Sequence, residues 1–433
     1  MTTIARPDPA RSIAARIAAG ARSEVVVART ALGVVALHIA DDNFLQPNAG
    51  VSAADHLAGG LLLLAPLLAA IVFYPRLRAG ARATVALLGG YLGVVAGTEA
   101  VYYTVEVGPS GDDFTGLLSI PAGLVLVGLG IVTLWRSRRR NDRLWWRYGR
   151  RLLLAVLTLV LVAFVFFPFV FSYVITHVAR AHVPAPDLGA PYEDVELETS
   201  DGLLLKGWYI ESQNGAAVIS FPGRAGSQSR ARMLADHGYG VLLFDRRGEG
   251  ESEGDPNLLG WEGERDIHAA VGFLQSRPDV DPGKIGGVGL SVGGEMMIVA
   301  AAESGALKAI MIEGASGRSV RDDWANGGAR WDVLVGRAIF TAASALNSSD
   351  LPPSDLKSLV PTIPGSVLFV YGERGQPEER PANEGWYEQA RGHKEIWEVP
   401  GSKHMAGIEA QPQEYERRVV GFFDRTLLAV PES

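Results

Sequence analysis

The chain has 433 residues, no cysteine and a formal net charge of −8 at pH 7. The absence of cysteine excludes disulfides, thiolate metal sites and a cysteine nucleophile, and the length predicts two or three domains. Residues 1–180 hold 17 arginines, no lysine and 10 acidic residues, whereas residues 181–433 hold 23 basic and 38 acidic residues. The acidic second part argues against a nucleic-acid partner, because phosphates bind basic surfaces.

The first part contains long apolar segments of the kind that cross a membrane, for which a helix needs about 20 apolar residues. We predict five spans, of which the first is the weakest because it is short and contains Arg29 and His38. The predicted spans are residues 25–40, 57–74, 83–103, 114–135 and 152–178. We therefore expect an all-α transmembrane bundle within residues 1–180, with the lipid bilayer as its partner.

Arginines cluster in alternate loops between these segments. Residues 76–82 contain three and residues 136–151 contain eight, whereas residues 41–56 and 104–113 contain acidic residues and neither arginine nor lysine. Because positive residues favour the cytoplasmic side, the pattern predicts a protein of the cytoplasmic membrane with its amino terminus inside. The part beyond residue 180 is then extracytoplasmic. Glu99 lies within an apolar segment, so transport or sensing by the bundle is an alternative role.

After a proline-containing linker, residues 181–191, short apolar runs alternate with helix-like segments. This alternation predicts an α/β domain over residues 192–433, in which a mostly parallel sheet is covered by helices on both faces. Ligands of such sheets lie at the carboxyl ends of the strands. Residues 315–361, between the predicted sixth and seventh strands, are a candidate lid or an ordinary covering helix. That segment contains Trp324, Trp331 and Phe340.

A serine motif follows the predicted fifth strand. Residues 289–293 read Gly-Leu-Ser-Val-Gly, and a predicted helix begins at Gly293. Glycines on both sides leave room for the strained strand–turn–helix of a nucleophile elbow. Ser291 is therefore the candidate nucleophile. A neighbouring imidazole must take its proton, because a serine hydroxyl is inert at its own pKa.

With these residues the second part resembles the α/β-hydrolase family, in the branch of the dienelactone hydrolases and prolyl-oligopeptidase-type peptidases. The other matching segments are Asp-Arg-Arg-Gly-Glu-Gly-Glu-Ser at residues 245–252, Gly-Trp at 260–261, Val-Asp-Pro at 280–282 and Gly-Ser-Lys-His at 401–404. The resemblance covers residues 192–428 and implies the α/β-hydrolase fold. It also implies that Ser291 is the nucleophile and His404 its general base. His393 is a rival, but it precedes the predicted last strand, whereas His404 follows it.

The resemblance further implies an oxyanion hole built from backbone N–H groups. One donor is expected to be Val292, and the other Arg224, with Gly223 as the alternative. The aspartate that the family usually carries after the seventh strand is replaced here by Gly375.

Glutamates are therefore the candidates for the acid that orients the histidine. Glu313, at the end of the predicted sixth strand, is the predicted acid. Glu378 and Glu379, further along the loop after the seventh strand, are alternatives, and the absence of an acid is a third.

Together these features predict a membrane-anchored serine hydrolase that cleaves an ester, thioester or amide through an acyl-serine intermediate. The expected substrate is a small or lipid-like acyl compound. The sequence lacks the histidine spacings typical of zinc sites, so neither a metal nor a cofactor is expected. Two alternatives stay open: a catalytically degraded hydrolase that serves as a membrane scaffold, and a serine peptidase of the prolyl-oligopeptidase type.

Overall fold

A computed structural model describes residues 23–45, 53–54, 56–106, 113–136, 144–178, 183–255, 257–325, 331–348 and 350–429. These residues form two compact units that divide between Val170 and Phe171. The division lies inside the last long apolar helix, so the final turns of that helix belong to the second unit.

The first unit is helical. Its helices are α1 (Glu24–Ala40), α2 (Leu57–Phe73), α3 (Ala79–Glu106), α4 (Asp113–Arg136), α5 (Leu144–Leu161) and the beginning of α6 (Phe167–Thr176), with a π-helical turn (Val162–Phe166) joining the last two. Among the described residues, four helices are long and apolar enough to cross a membrane, at Leu57–Arg76, Ala79–Thr98, Phe114–Arg136 and Tyr148–Thr176. The predicted span 25–40 is helical as α1, but its 17 residues are short for a crossing.

Glycines bring α3 and α4 close together. A Cβ at Gly90 would lie 2.7 Å from the carbonyl oxygen of Gly123, and one at Gly97 would lie 2.6 Å from that of Gly116. Small residues at such crossings are typical of membrane helix pairs, because their association depends on close packing. The side chain of Glu99, on which the transport alternative rests, lies outside the described part of the chain.

The second unit is built on an eight-stranded sheet with the order β1-β2-β4-β3-β5-β6-β7-β8. Its strands are β1 (Glu193–Glu198), β2 (Leu204–Ile210), β3 (Ala217–Phe221), β4 (Gly240–Phe244), β5 (Ile285–Leu290), β6 (Leu307–Glu313), β7 (Ser366–Arg374) and β8 (Lys394–Lys403). The β1–β2 and β2–β4 pairs are antiparallel and the others parallel. This arrangement confirms the mostly parallel sheet and the α/β-hydrolase fold.

Helices cover both faces of the sheet. The helices of this unit are α7 (Gly223–Gly226), α8 (Gln228–Asp236), α9 (Glu264–Gln275), α10 (Val292–Glu303), α11 (Val320–Ala325), α12 (Trp331–Ser348), α13 (Leu356–Leu359), α14 (Glu379–Gln389), α15 (Gly407–Ala410) and α16 (Pro412–Phe423). Successive strand residues point to opposite faces, so Val218 packs in one apolar cluster and Ile219 in the other. With both faces covered, the carboxyl ends of the strands are where side chains can converge on a ligand.

Candidate active site

Ser291 lies on a strained turn between β5 and α10. Its backbone has φ 49° and ψ −123°, a conformation that costs a non-glycine residue about 1–3 kcal/mol. The turn closes only because its neighbours are small: a Cβ at Gly289 would lie 2.7 Å from the Gly293 carbonyl oxygen, and one at Gly293 2.6 Å from the Phe221 ring. The local sequence therefore forms the elbow that its glycines predict, with the serine at the carboxyl edge of the sheet.

His404 directly follows β8 and reaches the serine. Its Nε2 atom lies 3.0 Å from the Ser291 hydroxyl oxygen, and its Nδ1 atom lies 2.6 Å from a carboxylate oxygen of Glu379. The rival histidine, His393, is exposed and pairs instead with Glu395. The structure thus brings together a hydroxyl, an imidazole and a carboxylate in hydrogen-bonded series.

Glu379 begins α14 and is fully buried. The backbone N–H of Gln376 donates to its Oε1 atom at 2.7 Å, the same oxygen that faces His404. A Cβ at Gly375 would collide with the Glu379 carboxylate. The glycine that stands where the family usually has aspartate therefore leaves the space that this carboxylate fills. Its neighbour Glu378 is exposed and does not reach the histidine.

The prediction that Glu313 orients His404 is wrong. One Glu313 carboxylate oxygen accepts hydrogen bonds from the Arg230 guanidinium at 2.9 Å and the Tyr415 hydroxyl at 2.7 Å. The other accepts the Gly407 N–H at 2.8 Å. Burial, and then the Glu313 charge, raise the pKa of Tyr415 well above its ordinary value, so the tyrosine stays a neutral donor. A buried guanidinium requires a buried anion, and this requirement keeps the carboxylate away from the imidazole.

This buried cluster of Glu313, Arg230 and Tyr415 nevertheless supports the histidine loop. The Arg230 guanidinium donates to the carbonyl oxygen of Met405 at 2.7 Å, one residue after His404. Met405 itself has a φ of 57°. The cluster therefore fixes the backbone on the carboxyl side of the histidine, while Glu379 contacts its ring.

The prediction that the Arg224 N–H belongs to the oxyanion hole is also wrong. That N–H donates to Asp245 Oδ1 at 2.8 Å, and the guanidinium donates to Asp245 Oδ2 through Nε at 2.8 Å. The Arg224 and Asp245 side chains are almost completely buried. The Asp245 carboxylate therefore ties the turn after β3 to the turn after β4. Val292 and Gly223, each the first residue of a helix, line the same cavity as Ser291 and are the remaining candidate donors.

The cavity beside Ser291 has a volume of about 280 Å³. Its lining includes the apolar side chains of Val183, Leu258, Leu290, Val292 and Met405. Its charged groups are compensated, since Asp245 pairs with Arg224 and Glu249 accepts a hydrogen bond from Arg246 at 2.6 Å. Across the described residues, no group of three or more histidines and carboxylates is placed to hold a metal ion.

Comparison with known proteins places the chain in a family. The family model of X-Pro dipeptidyl-peptidase (S15 family) matches residues 180–400, about half of the chain. The matched region contains Ser291 and Glu379 and ends four residues before His404.

Individual relatives match parts of the chain. The uncharacterized protein Rv2307c of Mycobacterium tuberculosis (strain ATCC 25618 / H37Rv) is 41% identical over 112 residues, which are 24% of this chain and 39% of that protein. The chain thus spans about two fifths of the length of that relative. The uncharacterized protein YfhR of Escherichia coli (strain K12) is 24% identical over 243 residues, which are 53% of this chain and 80% of that protein. Among solved structures, the Pyrococcus furiosus esterase Pf2001 matches with 23% identity and a TM-score of 0.46, over 58% of this chain and 100% of its own.

Proposed function

The chain belongs to the X-Pro dipeptidyl-peptidase (S15) family of serine hydrolases, and from this premise we propose that it cleaves a carboxylic ester or amide through an acyl-serine intermediate. The observation that carries the proposal is the hydrogen-bonded series from Ser291 through His404 to Glu379. The scaffold alternative rests on the missing aspartate after β7, and it weakens because the Glu379 carboxylate fills that space.

In the proposed reaction, the Ser291 hydroxyl attacks the substrate carbonyl while His404 Nε2 takes its proton. Glu379 accepts a hydrogen bond from His404 Nδ1, which fixes the tautomer and stabilises the imidazolium that forms. The oxyanion receives hydrogen bonds from backbone N–H groups, for which we propose Val292 and Gly223. The imidazolium then protonates the leaving group, and the acyl-serine remains. Water, deprotonated by the same imidazole, releases the acid and restores Ser291.

An ester or neutral amide is the substrate that the cavity favours. A peptidase that takes a free amino terminus needs an uncompensated carboxylate to bind the ammonium group. Asp245 and Glu249, the carboxylates that line this cavity, are both engaged by arginines. Family membership keeps a proline-containing peptide as the second candidate.

Two assays test these proposals. Wild-type protein in membranes is expected to react covalently with a fluorophosphonate probe and to hydrolyse p-nitrophenyl acetate, and Ser291→Ala is expected to do neither. If the Ser291→Ala variant hydrolysed the ester as fast as wild type, the acyl-serine mechanism would be contradicted. Faster turnover of Ala-Pro-p-nitroanilide than of the ester would favour the peptidase.

We also propose that the helices anchor the chain in the cytoplasmic membrane, with the hydrolase unit outside the cytoplasm. The eight arginines within residues 136–151 support this orientation, because they precede the last apolar helix. Since the chain has no cysteine, a single Gln275→Cys variant reports the side directly. Intact cells are expected to be labelled at this position by a membrane-impermeant maleimide. Labelling only after lysis would contradict the orientation.

A further inference from the structure

The helix between β6 and β7 exposes an apolar face. Five residues of α12, spaced by three or four positions, lie on one side of the helix and are all exposed. They are Trp331, Val335, Ala338, Ala342 and Leu346. Trp331 is 73% exposed, Val335 42% and Leu346 45%. The helix has 18 residues and is thus about 27 Å long, with no charge on this side. A continuous apolar stripe of this kind, opposite a packed face, marks a candidate surface for a membrane or a protein partner.

The opposite side of α12 packs against the end of the last apolar helix. The Ser172 hydroxyl donates to the Ser344 hydroxyl at 3.1 Å, and the Asn347 side-chain amide donates to Ser172 at 3.0 Å. The rings of Phe171 and Phe340 lie 5.8 Å apart between their centroids. All these residues belong to the second compact unit. The exposed face is therefore held beside a helix that is long and apolar enough to cross a membrane.

The length of that helix gives the depth at which α12 is held. Tyr148–Thr176 has 29 residues, about 43 Å at 1.5 Å per residue, whereas the hydrocarbon core of a bilayer is about 30 Å thick. Arg150 and Arg151 fix the amino end of the span in one headgroup layer, so about 20 uncharged residues from Leu152 cross the hydrocarbon core. Ser172 then lies where the opposite headgroup layer begins. Amphipathic helices in this layer lie parallel to the membrane with their apolar side buried.

The active-site cavity adjoins the same helix end. The N–H of Leu258 donates to the carbonyl oxygen of Ile175 at 3.0 Å. Leu258 is 46% exposed, and it lines the cavity that contains Ser291. An apolar residue thus lies between the end of the membrane helix and the nucleophile.

We propose that the apolar face of α12 rests on the lipid bilayer, and that Ser291 acts on an acyl ester carried in that bilayer. The substrate class depends on the proposed hydrolase function, whereas the docking of α12 does not. A bilayer fits this face better than a second copy of the chain. The stripe offers about 270 Å² (27 Å by about 10 Å), and a stable dimer buries about 800 Å² on each partner.

A depth probe tests the docking. The full chain, with Ala338→Cys labelled by the fluorophore NBD, is reconstituted into vesicles of phosphatidylcholine and phosphatidylglycerol that contain a spin-labelled lipid. The spin-labelled lipid is expected to quench Ala338→Cys about threefold or more above the matched control Gln275→Cys. Gln275 is exposed at the end of α9, which runs back to the amino edge of the sheet, away from Ser291. Quenching of the Ala338 probe by aqueous iodide instead would overturn the docking. Protection from both quenchers would show a protein partner or second copy there and would also overturn it.

A kinetic experiment tests the substrate class. Val335→Glu with Leu346→Glu places charge on the apolar face and leaves the Ser291–His404–Glu379 series intact. This variant is expected to lose about tenfold or more in kcat/KM on a long-chain p-nitrophenyl ester embedded in vesicles, because charge opposes burial in lipid. Fluorophosphonate labelling and hydrolysis of soluble p-nitrophenyl acetate are expected to change less than twofold. An equal loss on both esters, with labelling unchanged, would overturn the proposed substrate class. Wild-type protein that neither reacts with the fluorophosphonate probe nor hydrolyses either ester would instead contradict the proposed function. The depth probe would still test the docking of α12.

Discussion

The carboxyl ends of β6 and β7 each bring a buried glutamate close to the histidine loop, yet the two environments differ. Glu313, at the end of β6, is neutralised by Arg230 and hydrogen-bonded to Tyr415. Glu379, after β7, is paired with His404, and within the described residues no lysine or arginine pairs with it. An anion that already has a cation gains little from a second positive charge. A carboxylate stabilises an imidazolium only when its own charge is uncompensated, so the partner of the carboxylate decides its role.

The largest expected effect comes from removing the charge beside His404. Glu379→Gln is expected to lower kcat/KM about 10²–10⁴-fold on p-nitrophenyl acetate, because the imidazolium loses its counter-charge and the ring its preferred tautomer. The matched control is Glu378→Gln, which changes an exposed neighbour and is expected to stay within about twofold. Equal losses in both variants would remove the distinction between the two glutamates.

The same substitution at the other glutamate is expected to act on stability. Glu313→Gln leaves the Arg230 guanidinium buried without an anion, which costs about 3–5 kcal/mol of unfolding free energy. The double variant Arg230→Met with Glu313→Leu removes both charges and is expected to recover most of that loss. Thermal unfolding of the detergent-solubilised chain measures both variants. An undisturbed melting temperature in Glu313→Gln would show that the pair carries little stability.

The third prediction moves the carboxylate that contacts His404 from position 379 to position 375. The double variant is Gly375→Asp with Glu379→Ala. The first substitution places the carboxylate where the resemblance expects one, and the second removes the side chain with which a residue at 375 would collide. We expect kcat/KM about tenfold above that of Glu379→Ala alone, since the new carboxylate replaces the lost charge at a similar place. Gly375→Asn with Glu379→Ala is the matched control, with the same shape and no charge. A rescue of equal size in the control would mean that packing, rather than charge, restores activity.

Asp350 is a third carboxylate, and among the described residues it forms an ion pair with neither a lysine or arginine nor a histidine. The Asn257 side-chain amide donates to it at 2.7 Å. Burial, and then the charge of Glu262, raise its pKa from 3.8 to about 6. Since the folded state holds this proton more tightly than the unfolded state, the associated stability is complete below about pH 4 and is lost as the pH rises through about 6.

Asp350→Asn is therefore expected to stabilise the chain in a pH-dependent way. The variant keeps an acceptor for Asn257 and does not ionise, so at pH 8 we expect it to exceed wild type by about 1–3 kcal/mol. At pH 4 the two are expected to melt alike. Melting temperatures at the two pH values measure the difference, and an equal gain at both would show that ionisation of Asp350 is not its cause.

Features that depend on neighbouring residues could be read from the sequence. The elbow at Ser291 follows from the glycines two positions away on each side, and the long apolar helices follow from composition over about 20 residues. The place of His404 follows from its position after the last strand. Each of these predictions uses a pattern within one or two elements, where local sequence and structure agree.

Features that depend on distant charges could not be read. Glu313 is held by Arg230, 83 residues earlier, and the Arg224 N–H by Asp245, 21 residues later. Nothing in the local pattern at the end of β6 shows that a guanidinium is buried against it. One local signal did exist for the acid: Gly375 and Glu379 stand at the two ends of the same short loop after β7, four residues apart, so a missing side chain stands near a carboxylate in the sequence.

The most direct test of the account compares the rate at which Ser291 reacts in the two glutamate variants. The second-order rate constant for fluorophosphonate labelling is measured on the full chain in membranes, for wild type, Glu379→Gln and Glu313→Gln, at a temperature where all three are folded. Glu379→Gln is expected to label about 10²-fold or more slowly than wild type, and Glu313→Gln within about tenfold of it. The reverse order, with Glu313→Gln slow and Glu379→Gln near wild type, would contradict the assignment of Glu379 as the partner of His404.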